Sequence, residues 1–380
     1  MPARPRFARS LIACLALLPA LAACGEAAPQ RAPLSDAARA AVLTDAAGAQ
    51  KEQLAREIDD LFAADGLGET RAVVLMYGGE VVAERYAPGY DRDTLFVSWS
   101  MAKTITAATI GMLVADGRLR LDDSVPIPRW QRPGDPRGEI TLRQLLQMRS
   151  GLEHSEAGDP AYESSEVRML FLDGRDDMSA WAEAQPMEAE PGAQFEYSSN
   201  TTVILADIAA RVLTDSEDPD IRRGAVDTFL KARVFAPLAM ESVVPEYDAH
   251  GTLIGGSLMH ATARDYARFG DFLRNKGSYR GSQLLPRKWV ELMTAPSPRS
   301  AHYGLQTWLN RPTELTDDHP LFPDRAPASV FAMIGHMGQY VIVSPEQKLT
   351  LVRLGHSNAP QREALKQEMA DILALYPAGQ

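Results

Sequence analysis

The strand-forming segments of this chain lie near its two ends, and helix-forming segments occupy the middle. Residues 70–90 contain two apolar runs joined at Gly78–Gly79, which predicts a β-hairpin. Residues 329–355 predict two more strands, with the sequence SPEQ at 344–347 as their turn. We therefore predict an α/β (α+β) fold in which both ends of the chain build one antiparallel sheet, flanked by helices, with a mostly helical region inserted.

Apolar residues at helical spacing mark the helices around this sheet. The apolar positions within 51–66 recur at that spacing and predict a helix that ends at Gly66. Further helices are predicted over 101–115, 140–152, 256–281 and 361–376. The domain is then expected to span 51–380, with its α/β part at about 51–125 and 250–380 and its helical part at about 126–249.

The first 23 residues have the pattern of a secretory signal peptide. Three arginines precede an apolar segment that is too short to span a bilayer. Residues 21–24, Leu-Ala-Ala-Cys, resemble a bacterial lipobox and predict lipidation of Cys24; an ordinary cleavage site is the alternative. Residues 24–50, rich in Ala and Pro, predict a tether. We expect a periplasmic lipoprotein, held in the outer membrane if the organism is Gram-negative.

Cysteine content and charge exclude several classes of function. Only Cys14 and Cys24 are present, so the mature domain has no disulfide, cysteine nucleophile or cysteine-ligated metal. The seven histidines lack zinc-ligand spacing such as H-E-x-x-H, and we predict no metal or organic cofactor. A formal net charge of −11 without a basic run excludes nucleic acid as a partner. The expected partners are a small-molecule substrate and, through the lipid anchor only, a membrane.

Ser100 and Lys103 open an apolar, helix-like run. Three residues apart on a helix, their side chains share one face. A buried lysine loses its proton more easily, so Lys103 can act as the base for a Ser100 nucleophile. The alternative is a serine N-cap followed by an ordinary helix-forming lysine. No G-x-S-x-G sequence is present, which disfavours an α/β-hydrolase.

Two further motifs carry candidate site residues. In FEYSSNTT, Tyr197 can present its hydroxyl to a pocket, and a cationic lysine beside it is expected to lower its pKa. In GHMGQY, predicted to lie on a strand, His336 can bind substrate, and Gly338 marks close approach of a ligand or backbone. The alternatives are a core tyrosine and a structural histidine.

The three motifs together, in this order, resemble those of the serine β-lactamase and penicillin-binding-protein superfamily. They are Ser100-x-x-Lys103, Tyr197-Ser198-Ser199 and His336-x-Gly338. The flanking sequences, 98–125, 140–152 and 335–346, resemble the class C β-lactamase-related group. The similarity extends from about residue 66 to 375 and is strongest to the 6-aminohexanoate-dimer hydrolase and carboxylesterase branch. It implies a β-lactamase/transpeptidase-like fold.

The resemblance also implies roles for the site residues. Ser100 is expected to attack an ester or amide carbonyl, with Lys103 and Tyr197 sharing the roles of general base and acid. The backbone N–H groups of Ser100 and Gln339 are expected to form the oxyanion hole. Ser199, His336 and Gly338 are expected to bind substrate.

Two departures from the family pattern favour a serine acyl hydrolase over a β-lactamase. Ser199 stands where penicillin-recognising members have asparagine, and His336 stands where they have the lysine that helps to hold a substrate carboxylate. A cell-wall D,D-peptidase or β-lactamase is the alternative enzyme. A catalytically idle binding or sensing lipoprotein is the alternative of another class.

The acidic segment 153–177 bears on the substrate. We interpret it as a solvated face; selection of a cationic amine leaving group is the alternative.

Overall fold

A computed structural model describes residues 33–312 and 319–378 of the chain. The predicted signal peptide, 1–23, and the predicted lipidation site, Cys24, lie outside these described residues. Within them, no helix combines the length and the apolar character needed to cross a membrane.

The described residues form eleven α-helices and eleven strands. The strands are β1 Glu69–Tyr77, β2 Glu80–Tyr86, β3 Phe96–Val97, β4 Val244–Pro245, β5 Met259–Ala261, β6 Ser278–Tyr279, β7 Ser282–Gln283, β8 Trp308–Leu309, β9 Phe331–Gly335, β10 Gln339–Ser344 and β11 Leu349–His356. The helices are α1 Asp36–Ala41, α2 Lys51–Ala63, α3 Ala102–Ala115, α4 Leu142–Leu146, α5 Ser165–Phe171, α6 Met178–Glu183, α7 Ser199–Leu213, α8 Pro219–Leu230, α9 Ala263–Arg274, α10 Arg287–Met293 and α11 Ala359–Ala374.

A six-stranded antiparallel sheet joins the two ends of the chain, as the sequence predicts. Its strand order is β2-β1-β11-β10-β9-β8. The central pairing places Val74 of β1 opposite Val352 of β11, although 278 residues of sequence separate them. The predicted hairpin at Gly78–Gly79 is confirmed, with both glycines at positive φ. Positive φ costs glycine little, which explains the tight connection between β1 and β2.

Alternating side chains of this sheet enter two separate hydrophobic cores. Val73 and Leu75 pack with α1, α2 and α11 on one face, whereas Val74 and Met76 pack with α3, α7 and α9 on the other. This period of two follows from the pleat of a strand. Apolar residues on both faces are therefore expected for β1, since helices cover both sides.

The helical region supplies a second support for the site. It contains α4 to α8, and every residue of α7 from Ser199 to Ala210 is buried. In α3, every residue from Ala102 to Leu113 is buried, so this helix is surrounded on all sides. The N-terminal ends of α3 and α7 both reach the region in front of β9, where the candidate site lies.

Three local expectations differ from the structure. The predicted helix 256–281 starts later, because residues Met259–Ala261 form β5 and Thr262 caps α9 through the N–H of Asp265. Two strands are predicted over 329–355, whereas residues 331–356 form three, β9 to β11. His336–Gly338 is the turn between β9 and β10, with φ of 59° at Met337 and 82° at Gly338, and so does not lie on a strand.

Part of the predicted tether belongs to the folded unit. Residues 36–41 form α1, whose Ala38 and Ala41 are buried, and Leu34 and Val42 join the same core. Leu43 N–H donates to the Val82 carbonyl of β2. The folded unit therefore begins at Leu34, inside the segment 24–50 predicted to be a tether.

Candidate active site

Ser100 lies on a short 3₁₀ turn, Trp99–Met101, that leads directly into α3. The preceding Ser98 is fully buried and fixes this turn. Its N–H donates to the Met259 carbonyl at 2.7 Å, and its hydroxyl donates to the Ser257 carbonyl at 3.2 Å. Trp99 has a φ of 46°, a left-handed conformation that costs a non-glycine residue about 1–3 kcal/mol. The fold therefore holds the serine turn in a conformation that the local sequence would not choose.

Lys103 is buried and directs its ammonium nitrogen at Ser100. Its Nζ lies 2.9 Å from Ser100 Oγ, 2.8 Å from Ser199 Oγ and 2.8 Å from the Gly256 carbonyl oxygen. Burial lowers the pKa of Lys103 below its ordinary value of 10.5, while the charges of Glu156 and Glu166 act in the opposite direction. A lysine with a lowered pKa in contact with a serine hydroxyl can serve as its base.

Tyr197 immediately precedes the N-cap of α7 and faces the same serine. Its ring lies 4.9 Å from Lys103 Nζ and is held between Trp308 and Tyr303, at centroid distances of 5.0 and 5.8 Å. Burial raises the pKa of Tyr197 well above 10, and only its hydrogen bond with Ser100 acts to lower it. The expectation of a lowered pKa is therefore wrong, because burial of the hydroxyl, with the charge of Glu156, disfavours the phenolate. The Tyr197 hydroxyl keeps its proton and can donate it.

Ser199, at the start of α7, joins Lys103 to two glutamates. Its hydroxyl lies 2.6 Å from Glu156 Oε1 and 3.0 Å from Glu166 Oε1. Its backbone N–H donates to Glu156 Oε2 at 2.8 Å. Ser199 is fully buried, so it belongs to the support behind Lys103 more than to the wall that meets a substrate.

His336 and the strand before it form the wall opposite Tyr197. The His336 ring makes an edge contact with Trp99 at 5.4 Å. Burial lowers the pKa of His336, and the positive charge of Arg362 adds to this effect. Both effects favour the neutral imidazole.

The Gln339 side chain and the Gly338 carbonyl form hydrogen bonds within the protein, and neither is available to a substrate in this arrangement. The Gln339 side chain exchanges hydrogen bonds with the backbone of Gly355, at 2.6 and 3.0 Å. The Gly338 carbonyl accepts a hydrogen bond from Arg353 at 2.8 Å. The glycine that lets the strand approach the serine turn is instead Gly335, which lies against Ser98. A contribution from Gln339 would come from its backbone N–H.

A cavity of about 330 Å³ opens in front of Ser100. Its walls combine aromatic, apolar and charged side chains from the serine turn, the acidic segment, the motif of Tyr197, β9 and α11. They are Ser100, Glu156, Ala157, Glu166, Tyr197, Trp308, Pro320, Ile334, Gly335, His336, Tyr340, Ala359, Arg362, Glu363 and Lys366.

The sequence analysis missed Glu156 and Glu166 as site residues. Both belong to the acidic segment 153–177, and its interpretation as a solvated face is wrong for these two positions. Around Glu156 and Glu166 the sequence alternates charged and small residues, so it has no periodicity that could place either glutamate beside Ser199. Arg362 was also missed, since its position on α11 predicted only a helix surface.

One group of carboxylates in the described part of the chain has the spacing of a cation site. Ligand atoms of Glu57, Asp60 and Glu368 lie within 4.8 Å of one another. None of the three lines the cavity at Ser100.

The geometry agrees with a comparison across the whole folded region. A family model described as Beta-lactamase matches residues 58–376. The chain belongs to the Beta-lactamase family. The resemblance drawn from the three motifs is thereby confirmed, as is the predicted mixed α/β fold with its antiparallel sheet.

Relatives of this Beta-lactamase family protein include named hydrolases. It is 27% identical over 241 residues to the 6-aminohexanoate-dimer hydrolase of Paenarthrobacter ureafaciens, an alignment that covers 61% of this chain and 59% of that relative. The aligned region therefore spans less than two thirds of that relative's own length.

Solved structures share the fold. A candidate 6-aminohexanoate-dimer hydrolase from Bacillus anthracis superimposes with a TM-score of 0.67 at 23% identity, covering 83% of this chain and 81% of the other. A family VIII carboxylesterase superimposes with a TM-score of 0.61 at 16% identity, covering 85% and 97%.

Proposed function

We propose that the protein is a serine hydrolase that cleaves ester or amide bonds through an acyl-enzyme on Ser100. The observation that carries this proposal is the contact between Ser100 Oγ and the buried Lys103 Nζ, 2.9 Å apart at the floor of a cavity. A helix cap would need neither a buried lysine nor an open cavity. A relative named 6-aminohexanoate-dimer hydrolase and a structural neighbour named a family VIII carboxylesterase lead us to include both amide and ester bonds.

Lys103 acts as the base in the first step. It takes the proton of Ser100 as Oγ bonds to the carbonyl carbon of the substrate, and the carbonyl oxygen becomes an oxyanion. The backbone N–H groups of Ser100 and Gln339 would hold that oxyanion; one such donor contributes about 100- to 1,000-fold in turnover. The lowered pKa of Lys103 supports this role, because burial makes the neutral, proton-accepting amine easier to reach.

Tyr197 acts as the acid for the leaving group. As the bond to the leaving oxygen or nitrogen breaks, Tyr197 supplies its proton and regains one from Lys103. Water then attacks the acyl-enzyme, gives up a proton to the same pair, and releases a carboxylic acid and Ser100. The raised pKa of Tyr197 supports the assignment of donor to tyrosine and acceptor to lysine.

The first experiment is hydrolysis of p-nitrophenyl butyrate by the purified protein beside its Ser100→Ala variant. The expected result is turnover by the wild type and its loss in Ser100→Ala. Ser282→Ala, an exposed serine on β7, is the matched control and should keep full activity. Equal turnover by all three proteins would show that Ser100 is not the nucleophile, and no turnover by any of them would favour the binding or sensing alternative.

A second candidate function, a β-lactamase or D,D-peptidase, draws support from Arg362. This residue lines the cavity, and its charge acts on His336, the position at which relatives carry a carboxylate-binding lysine. A β-lactam carboxylate would meet a positive charge there. Penicillin acylation of Ser100, detected by intact mass and weakened in Arg362→Gln, would support this candidate. If penicillin does not acylate Ser100, only the ester and amide hydrolase remains as the proposed function.

We also propose that the protein is an exported lipoprotein anchored through Cys24. The basic residues, short apolar segment and Leu-Ala-Ala-Cys tetrad at 21–24 support this proposal. Radiolabelled palmitate should be incorporated into the wild type and lost in Cys24→Ala. Equal labelling of both proteins would overturn the assignment of Cys24.

A further inference from the structure

Ser199 lies at the centre of a network of short contacts at the first turn of α7. Its hydroxyl oxygen is 2.8 Å from Lys103 Nζ, 2.6 Å from Glu156 Oε1 and 3.0 Å from Glu166 Oε1. Its backbone N–H donates to Glu156 Oε2 at 2.8 Å. One carboxylate, that of Glu156, therefore holds Ser199 by both the hydroxyl and the backbone.

The directions of these hydrogen bonds follow from counting protons. The Ser199 hydroxyl has one proton, and a carboxylate oxygen only accepts, so the shortest contact gives that proton to Glu156. Ser199 Oγ must then accept a hydrogen from Lys103. The Gly256 carbonyl, 2.8 Å from Lys103 Nζ, also only accepts. A neutral amine has two hydrogens, and both are committed in this way.

The third direction around Lys103 Nζ faces Ser100 Oγ. In the neutral amine, this direction holds the lone pair. We propose that Glu156 is a positioning residue that, through Ser199, aims the lone pair of Lys103 at the Ser100 hydroxyl. This inference rests on the proposed function, since it explains how Lys103 accepts the serine proton. Without Glu156, only the longer contact with Glu166, at 3.0 Å, holds the Ser199 proton away from Lys103, so that proton can rotate toward Lys103 and occupy the lone pair that Ser100 needs.

The surroundings of Glu156 keep it in its accepting form. His154 Nε2 lies 2.6 Å from Glu156 Oε2, and because a carboxylate only accepts, His154 carries its proton on Nε2. Burial raises the pKa of Glu156, but Lys103, His154 and Ser199 together outweigh it and lower the pKa to about 2. Burial and the charge of Glu156 raise the pKa of Glu166. Of the two carboxyls, Glu156 is thus the one held more strongly in its charged form.

Several other groups face this network from neighbouring elements, and each affects its pH dependence. They are Lys103 on α3, Glu166 on α5, Glu196 and Tyr197 before α7, Tyr303 before β8 and His336 after β9. The charge of Glu156 raises the pKa of Lys103. Removing this charge while keeping the shape of the side chain should therefore lower that pKa.

The test measures how fast Ser100 is labelled by a fluorophosphonate, as a function of pH, with intact mass as the readout. In Glu156→Gln, the plateau rate should fall about 10- to 100-fold, within the range of general-base effects, and the acid limb should move to lower pH. Ser199→Ala keeps the charge of Glu156. Its plateau rate should fall by a similar factor, but the acid limb of its pH profile should stay where it is in the wild type. In the double variant the rate losses should not add, because both act through one link.

Glu163→Gln is the matched control, since Glu163 is exposed and lies in the same acidic segment. It should keep the rate and the pH profile of the wild type. An unchanged acid limb in Glu156→Gln, or fully additive losses in the double variant, would overturn the positioning role. Wild-type labelling that is no faster than that of Ser100→Ala would overturn the proposed function and this inference with it. Thermal melts of each variant identify a folding loss, and Ser199→Ala tests the link if Glu156→Gln does not fold.

Discussion

A Cβ atom on Gly335 would lie 2.4 Å from the carbonyl oxygen of Ser98. Gly335 is the last residue of β9, and Ser98 begins the turn that carries Ser100. The missing side chain lets the strand come into contact with the serine turn. The wall of the cavity that faces the nucleophile therefore depends on this one glycine.

Gly335→Ala should reduce kcat/KM for an ester substrate by roughly 100-fold, because the strand must move by about 1 Å away from Ser100. The clash is with backbone, which cannot rotate aside. Kinetics with p-nitrophenyl butyrate measure the loss. Gly224→Ala is the control: Gly224 is exposed on α8 with free space around it, and alanine there should keep activity and favour the helix. Equal activity of the two variants would show that β9 tolerates the shift.

The pH dependence of activity should follow Lys103. Protonated Lys103 cannot accept the serine proton, so kcat/KM should rise with pH as the amine becomes neutral. Burial lowers the pKa of Lys103, which places this rise below its ordinary value of 10.5. Burial raises the pKa of Tyr197 well above 10, so no basic limb is expected up to about pH 9. If kcat/KM instead falls again before about pH 9, the general acid is a group other than Tyr197.

Much of the fold could be predicted from the sequence because its strands have strong local patterns. Gly78–Gly79 between two apolar runs indicated the first hairpin, and the alternate burial of Val73 and Val74 follows from the pleat. The turn at His336–Gly338 was harder to predict. Apolar residues precede and follow this turn, so the apolar pattern does not show where one strand ends and the next begins.

The site could be predicted only where residue types have fixed spacing. Ser100 and Lys103 lie one helical turn apart, so their contact follows from local geometry. Glu156 and Ser199 are 43 residues apart, and their contact depends on how a loop returns across the N-terminus of α7. Such long-range contacts arise from tertiary packing, which neither periodicity nor charge pattern reports.

Glu183→Gln should change how stability depends on pH. Burial and the charge of Asp207 raise the pKa of Glu183 from 4.5 to about 8, against the opposing charge of Arg211. Between about pH 4.5 and about pH 8, Glu183 is protonated in the folded protein but ionised in the unfolded chain. The free energy of unfolding contributed by Glu183 therefore falls as the pH rises through this range. The melting temperature of the variant relative to wild type should therefore increase by roughly 2–6 °C between about pH 5 and about pH 9. If the difference in melting temperature between variant and wild type stays constant from about pH 5 to about pH 9, Glu183 is not the group that holds this proton.

Tyr197→Phe should separate substrates by their leaving groups. Phenylalanine keeps the ring contacts with Trp308 and Lys103 but removes the hydroxyl that we assign as the proton donor. An alkyl ester or a simple amide needs that proton and should lose about 100- to 10,000-fold in kcat, whereas p-nitrophenolate leaves without one and should lose far less. Comparing p-nitrophenyl butyrate with ethyl butyrate measures this difference, with Tyr162→Phe, an exposed tyrosine, as the control. Equal losses on both esters would mean that Tyr197 acts before the leaving group departs, in activation of Ser100 alongside Lys103.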